Sequence, residues 1–165
     1  MVKETLAVEV GVFEGVNAYI MLSLLPRLKL YLVDTWDNLT AYTSGPPMSR
    51  EYINKVKEHA FENLKSCNGA VKFTMKNSED SAKDFPDEYF DYVYIDGDHA
   101  YTEVKKDLYL WYPKVKKGGV FGGHDIIMKE VSQAVKEFIT ENNIPRENTR
   151  YCTEPKESDW WWIKE

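Results

Sequence analysis

The stretch FDYVYIDGDH, residues 90–99, decides the fold class, because an apolar strand-like run ends there in a cluster of polar side chains. A second run, GGVFGG at residues 118–123, ends in the same way at His124 and Asp125. The chain has only three histidines, and two of them stand at these strand ends. An open α/β sheet builds its active site from groups just past the carboxyl ends of its strands. We therefore expect the chemistry at these two clusters.

Outward from the clusters, strand-like runs alternate with helical patterns, as in βαβ units around a parallel sheet. The predicted strands are residues 6–10, 29–33, 71–75, 89–95 and 120–123. The predicted helices are residues 17–25, 49–66, 78–83, 102–112 and 129–141. The tail predicts an antiparallel hairpin of residues 150–153 and 160–163. The long polar and aromatic loop at residues 35–49 is of a kind that usually has a function.

Composition narrows the class of protein. A chain of 165 residues with 43% hydrophobic residues predicts one soluble domain with a full core. The net charge of −6 argues against a general nucleic-acid surface. The apolar runs are strand-length, so neither a membrane span nor a secretory signal is expected. The isolated cysteines Cys67 and Cys152 indicate a reducing, cytoplasmic setting.

The segment EVGVFEG, residues 9–15, is a strand-to-helix turn with glycines at 11 and 15. Dinucleotide folds carry Gly-x-Gly-x-x-Gly, whose middle glycine lets the backbone approach a pyrophosphate. Phe13 holds that middle place, so a nucleoside without phosphates suits the turn better. Asp34 ends the second predicted strand, where a carboxylate accepts both ribose hydroxyls. The two features together indicate a nucleoside cofactor; the alternative is a plain tight turn with a solvated Asp34.

With these motifs the chain resembles the class I S-adenosylmethionine-dependent methyltransferases. It is most similar to the small bacterial subgroup of macrolide-sugar O-methyltransferases and cephalosporin-hydroxylase-like proteins. The matching segments are VEVGVFEG (8–15), VDTW (33–36), YIDGDHAY (94–101), WYPKVKKGG (111–119) and GGHD (122–125). The resemblance implies one domain over residues 1–165, with a Rossmann-like, doubly wound, seven-stranded and mostly parallel α/β sheet. Its last strand would be antiparallel and contain Trp160–Trp162 as core and edge packing, and helices would cover both faces.

The same resemblance implies S-adenosyl-L-methionine as the cofactor and assigns residues to it. The glycine loop would pass the methionine end, with Glu9 supporting the loop or contacting the amino group. Asp34 would hold the ribose with Trp36 beside it, and Ser78 with Glu79 would face the adenine. The full set of implied cofactor-binding residues is Glu9, Gly11, Gly15, Asp34, Trp36, Ser78, Glu79 and Asp96.

Methyl transfer to an alcohol needs a deprotonated hydroxyl, which a divalent metal and a nearby base can provide. By resemblance to metal-dependent catechol-type O-methyltransferases, Asp96 would be the first metal ligand and a catalytic residue. His124 and Asp125 would be the other ligands, and His99 would be the base. Magnesium or manganese is the expected metal, although an imidazole in place of the usual acid–amide pair leaves its identity open. The competing interpretation is that Asp98 and His99 cap the next helix and His124 packs against the cofactor.

The sequence thus predicts a methyltransferase that O-methylates a small hydroxylated acceptor, a sugar or a secondary metabolite. No nucleic-acid or membrane partner is expected, and a homodimer is left open. Two alternatives remain: a metal-dependent hydroxylase on the same scaffold, and a non-catalytic cofactor-binding module. Relatives usually carry helices before the first strand that cover the substrate, and only residues 1–5 precede it here. Either the enzyme is minimal, or the 35–49 loop or a partner subunit supplies a lid; His59 is expected to have no role.

Overall fold

The computed structural model describes residues 4–36, 48–67, 69–153 and 158–165, which form a seven-stranded sheet with the order β3-β2-β1-β4-β5-β7-β6. Strands β1 to β5 pair in parallel, and β7 runs antiparallel to both β5 and β6. This arrangement confirms the predicted mostly parallel sheet with an antiparallel last strand. The strands are β1 Thr5–Val10, β2 Leu28–Val33, β3 Val71–Thr74, β4 Phe90–Ile95, β5 Val115–Gly123, β6 Arg150–Tyr151 and β7 Trp160–Ile163.

The helices begin and end within two residues of the predicted bounds. Ser49 caps the second helix by accepting a hydrogen bond from the Tyr52 amide at 3.1 Å, and Asn77 caps the third from the Asp80 amide at 2.7 Å. None of the described helices is long and apolar enough to cross a lipid bilayer. The helices are α1 Val16–Leu24, α2 Arg50–Leu64, α3 Ser78–Ala82, α4 Tyr101–Trp111 and α5 Lys129–Glu141.

Alternate residues of the central strands enter two separate hydrophobic cores, one on each face of the sheet. In β2, Leu28, Leu30 and Leu32 pack with α1 and α2. The intervening residues Tyr31 and Val33 pack with α3, α4 and α5 on the other face. Strands that are buried on both faces in this way define a doubly wound sheet, and the prediction of helices on both faces is confirmed.

Strand β5 begins earlier than predicted. Its first residue, Val115, pairs with Phe90, but the next registered pair is Val120 with Tyr92, so the register shifts between them. The lysines and glycines of residues 116–119 have no strand-like apolar pattern, and Gly118 has a φ of +75°. A strand prediction that relies on runs of apolar residues therefore misses the first part of β5.

The carboxyl-terminal tail forms the predicted antiparallel hairpin across β6 and β7. Trp160 and Trp162 are each 1% exposed and stack on one another in the larger core, while Trp161 lies on the opposite face at 38% exposure. This confirms that the tryptophan run serves packing. The greater part of the 35–49 loop, which is one expected source of a lid, lies outside the described residues.

Candidate active site

The site lies where the loops after β1 and β4 meet, because α1 and α4 leave these neighbouring strands toward opposite faces. Such a switch point opens a crevice at the carboxyl edge of the sheet. Gly11 has a φ of +87°, and a Cβ on it would lie 2.0 Å from the carbonyl oxygen of Asp96. The Asp96 amide donates to the Val10 carbonyl at 2.7 Å. Only glycine fits at position 11, and the two loops form one wall of the crevice.

Asp34 fixes the glycine loop from the end of β2. Its Oδ2 accepts from the amides of Val12 at 2.9 Å and Phe13 at 3.1 Å, and its Oδ1 accepts from the Trp36 amide at 2.9 Å. A carboxylate oxygen accepts about two hydrogen bonds, so Oδ1 keeps capacity for a ligand hydroxyl. The structure therefore places Asp34 beside the glycine loop, as its position at a strand end suggested.

Trp36 supports the same loop from the core. Its Nε1 donates to the Phe13 carbonyl at 2.9 Å, and its ring packs against Phe61 and Phe73 with centroids about 6 Å away. Only 5% of the residue is exposed. Trp36 is therefore a buried support of the loop, and its expected place beside the ribose stays a prediction.

Glu9 is the buried acid beneath the glycine loop. Its Oε1 accepts from Asn17 Nδ2 at 2.8 Å, while Oε2 is buried with no hydrogen-bond partner in the described residues. Burial raises the pKa of Glu9 to about 8, with smaller contributions from Asp96 and Asp34. A buried polar atom without a partner costs about 1–3 kcal/mol, so a ligand group that pairs with Oε2 would be favoured here.

The ends of β4 and β5 bring the predicted catalytic and metal-binding residues together. His99 Nε2 lies 2.8 Å from Asp125 Oδ2, and His124 Nδ1 lies 3.2 Å from Asp125 Oδ1. The same His124 nitrogen is 3.8 Å from Asp96 Oδ1. Asp125 adopts a left-handed φ of +60°, a conformation that Asp tolerates better than most residues. Its carboxylate thus stands between the two imidazoles, at the centre of the cluster.

The acids and histidines of the cluster shift the pKa values of one another. Burial raises the pKa of Asp96 to about 7, against the opposing effect of His124. The hydrogen bond from His99 lowers the pKa of Asp125, and the same bond raises the pKa of His99. His99 and Asp125 therefore behave as a coupled pair, in which the carboxylate fixes the direction of the ring and stabilises its protonated form.

One ligand atom each from Asp96, His124 and Asp125 lies within 4.8 Å of the others. Two carboxylates and one imidazole are a donor set that divalent cations such as manganese accept, so these residues fit a metal ion. Asp98 instead accepts from the Ala100 amide at 2.8 Å. Ala100 is the N-cap residue of α4 and has no side-chain cap hydrogen bond, so Asp98 binds the chain just before the helix, whereas the His99 ring is turned to Asp125.

Ser78 and Glu79, whose place at the adenine stays a prediction, have polar partners within the protein. The Ser78 hydroxyl donates to Asp107 Oδ1 and accepts from Trp111 Nε1 at 2.7 Å. Glu79 lies 3.4 Å from Lys83 and 3.5 Å from Lys106 on the surface. The structure thus connects the start of α3 to α4 through Ser78.

Sequence reasoning missed two groups next to the site. Asp107 is a carboxylate on the apolar stripe of α4, and that break in the helical pattern was the signal that could have revealed it. Asp159 accepts a hydrogen bond from the Tyr94 hydroxyl at 2.5 Å. The neighbouring Trp160 donates from Nε1 to the His124 carbonyl at 3.1 Å. No local motif marks Asp159, because its partner lies on a distant strand.

Comparison with known proteins identifies the family. The family model described as a methyltransferase domain matches residues 8–126, which include the glycine loop and both strand-end clusters. The chain belongs to the class I S-adenosylmethionine-dependent methyltransferases. No curated protein matches it.

Solved structures share the fold at low sequence identity. The O-methyltransferase NovP is 19% identical with a TM-score of 0.71, covering 99% of this chain and 72% of that one. TomG from Streptomyces achromogenes, an O-methyltransferase in complex with SAM, is 13% identical with a TM-score of 0.65, covering 97% and 73%. The O-methyltransferase from Bacillus cereus in complex with SAH is 14% identical with a TM-score of 0.67, covering 96% and 74%. Neither the hydroxylase nor the non-catalytic alternative is favoured by these matches.

Proposed function

We propose that this methyltransferase transfers a methyl group from S-adenosylmethionine to a hydroxyl oxygen of a small acceptor. The observation that carries the proposal is the His99–Asp125 pair, 2.8 Å apart, beside Asp96 and His124 at the strand ends. A base held by a carboxylate next to the crevice is what deprotonation of a hydroxyl requires. The O-methyltransferases of the same fold support the choice of oxygen as the acceptor atom.

The crevice has the chemistry that suits the cofactor, which when bound supplies an electrophilic methyl group on a sulfonium. Asp34 Oδ1 retains capacity for a ribose hydroxyl, and Glu9 Oε2 lacks a partner beneath the glycine loop. Asp34 and Asp96 place carboxylates along the crevice, where negative potential favours a cationic ligand. Phe13, which is exposed in the loop, stands at the sequence position of the middle glycine that lets the backbone of a dinucleotide fold approach a pyrophosphate.

In the proposed reaction His99 accepts the proton of the acceptor hydroxyl. Asp125 holds the imidazole in place and stabilises the positive charge that it gains. Trp160 helps to fix the end of β5, because its indole N–H donates to the carbonyl of His124. These contacts keep the base in a defined place relative to the β4 loop and the glycine loop.

The same cluster would hold a divalent metal, magnesium or manganese, with Asp96, His124 and Asp125 as its ligands. A cation there would lower the pKa of a bound hydroxyl. The closeness of the three ligand atoms supports this part of the proposal. The acceptor that we propose is a small hydroxylated molecule such as a sugar.

The test is transfer from S-adenosylmethionine with a deuterated methyl group to a panel of sugars and phenols, followed by mass spectrometry. The expected product carries the label on oxygen. A label found only on nitrogen or carbon would contradict the proposal. In a parallel reaction with ferrous iron, O₂ uptake that depends on the acceptor would favour the hydroxylase.

A further inference from the structure

Helix α1 is apolar around almost its whole circumference, yet its outer side is exposed. Its sequence VNAYIMLSL has two polar residues, Asn17 and Ser23, and no charged residue lies between Glu14 and Arg27. A helix that is hydrophobic all round is normally a buried one, so this composition indicates a helix with a second packed side. The large apolar side chains of the outer side, between 47% and 73% exposed, are Val16, Tyr19, Ile20, Leu24 and the following Leu25.

Part of this exposed surface faces away from α2. At the start of α1, a Cβ on Gly15 would lie 3.0 Å from a side chain of α2, so that side of the helix meets α2. Asn17 Nδ2 donates to Glu9 Oε1 at 2.8 Å, so the flank that carries Asn17 lies over β1. Ile20 and Leu24 follow Asn17 by three and seven residues and share its flank. They form an apolar ridge that borders the strands beyond β1.

The strands beyond β1 form a strip beside this ridge. On the α1 side of the sheet, α1 and α2 pack over β1, β2 and β3, whereas α3, α4 and α5 pack on the other side. Within the residues that the structure describes, no helix lies over β4, β5 and β7 on the α1 side. Accordingly, Ile163 is 57% exposed and Trp161 is 38% exposed. The strip consists of two rows across the three strands: Tyr92, Val120 and Ile163, then Tyr94, Gly122 and Trp161.

The strip has the width of one helix. Strands β4, β5 and β7 adjoin in the sheet, and neighbouring strands lie about 4.8 Å apart, so three of them make a strip on the order of 10–15 Å wide. An α-helix with its side chains is about 10 Å across. One apolar helix therefore fills the strip, and the same molecule presents such a helix next to it.

We propose that the ridge and the strip form a homodimer interface, in which α1 of each copy lies on the strip of the other. A two-fold axis makes this pairing reciprocal, so one contact covers both surfaces on both copies. The lack of charge on α1 fits this partner, because homodimer interfaces are more apolar than those between transient partners. The inference concerns a surface outside the reaction and does not depend on the proposed function.

The exposed area agrees with a stable dimer. A large side chain that is about half exposed leaves roughly 100 Å² open to solvent. The five side chains of α1 together with Trp161 and Ile163 therefore approach the roughly 800 Å² per partner of a standard interface. The largest apolar patch of a monomeric protein is usually about 300–600 Å², so the patch is larger than a monomer normally exposes.

Sedimentation velocity over a series of protein concentrations tests the inference. The wild-type protein should have twice the mass of one chain. Leu24→Lys in the ridge and Ile163→Lys in the strip should each raise the dissociation constant of the dimer by about 100-fold or more, because each buries an unpaired charge between the copies. Both residues are more than half exposed in a single copy, so the fold of the chain should tolerate the changes.

Met75→Lys is the matched control, because Met75 is 55% exposed and follows β3 at the far edge of the sheet. This variant should form the dimer as the wild type does. Circular dichroism checks the fold of each variant, and Ile20→Lys replaces either one that does not fold. A dimer that persists in both folded variants would place the interface elsewhere and overturn the inference.

A wild-type protein that is monomeric at every concentration would also overturn the inference. Sedimentation with phosphatidylcholine vesicles then identifies the other occupant that an uncharged apolar surface suits. A monomer that sediments with the vesicles, and loses this binding in Leu24→Lys, would assign the ridge to a lipid surface instead of a second copy.

Discussion

His99 and Asp125 are distant in the sequence, yet the adjacency of β4 and β5 brings their side chains to 2.8 Å. The sequence predicted that strand-end groups would meet, because carboxyl ends of parallel strands share one edge. It could not show that Asp125 would lie between the two histidines, since that depends on its left-handed φ of +60°. The sequence thus predicted which strand-end residues lie close together, and it did not predict which of their side chains contact each other.

His99→Ala should reduce turnover by about 10²- to 10⁴-fold, the usual contribution of a general base. The affinity for S-adenosylhomocysteine should stay nearly unchanged, because the change removes a group that acts on the acceptor. Single-turnover rates and calorimetry measure the two quantities. His59→Ala, at an exposed histidine on α2, is the control. Equal rates for wild type and His99→Ala across pH 6 to 9 would show that His99 is not the general base and has only a structural role.

The metal prediction also belongs to single residues. EDTA should abolish methyl transfer, and added manganese or magnesium should restore it. Asp125→Ala should weaken manganese binding far more than it weakens S-adenosylhomocysteine binding, because an anionic ligand is lost. Calorimetry measures both affinities. Full activity in the presence of chelator would show that the reaction needs no metal. His124 and Asp125 would then be groups that orient the acceptor.

At the scale of the element, helices and central strands were predictable because their apolar residues recur at the period of each structure. Strand β5 was the exception. After Val115, its next four residues are lysines and glycines, and Lys116 reaches Asp91 at 2.8 Å instead of joining a core. The expected roles of Ser78 and Trp36 at the cofactor stay predictions, and the resemblance behind them carries no information on side-chain direction. Their hydrogen bonds to Asp107 and Phe13 depend on how neighbouring elements pack.

Glu9 of β1, which is buried against Asn17 of α1, predicts that the stability of the protein depends on pH. Glu9 loses its proton near pH 4.5 when unfolded and near pH 8 when folded, so between these values the folded state holds the extra proton. The free energy of unfolding should therefore fall as pH rises, by up to about 1.4 kcal/mol per pH unit from this group. Glu9→Gln keeps an oxygen for Asn17 and should lack this fall.

Urea denaturation of wild type and Glu9→Gln at pH 5.5 and pH 7.5 measures the difference. Other acids of the site titrate equally in both proteins, so the gap between the two profiles reports Glu9. Parallel profiles would mean that Glu9 is ionised in the folded state.

At the scale of the whole molecule, the alternation of strands and helices predicted the doubly wound sheet, and the family resemblance added its seven-stranded form. The sheet order places β1 and β4 side by side, which opens the crevice between the glycine loop and the Asp96–His99 loop. What the sequence did not reveal are contacts between distant elements, such as Tyr94 with Asp159 and Ser78 with Asp107. Periodicity reports which face of an element is buried, and does not report which residue of another element it meets.

The most direct test of the central claim is calorimetric titration of the protein with S-adenosylhomocysteine and, separately, with NAD. We expect S-adenosylhomocysteine to bind with a dissociation constant on the order of 1 μM, about −8 kcal/mol. Asp34→Ala should weaken this binding markedly, because it removes the expected ribose contact and three hydrogen bonds to the glycine loop and Trp36. Tighter binding of NAD than of S-adenosylhomocysteine would contradict the assignment of this crevice to the methyl donor.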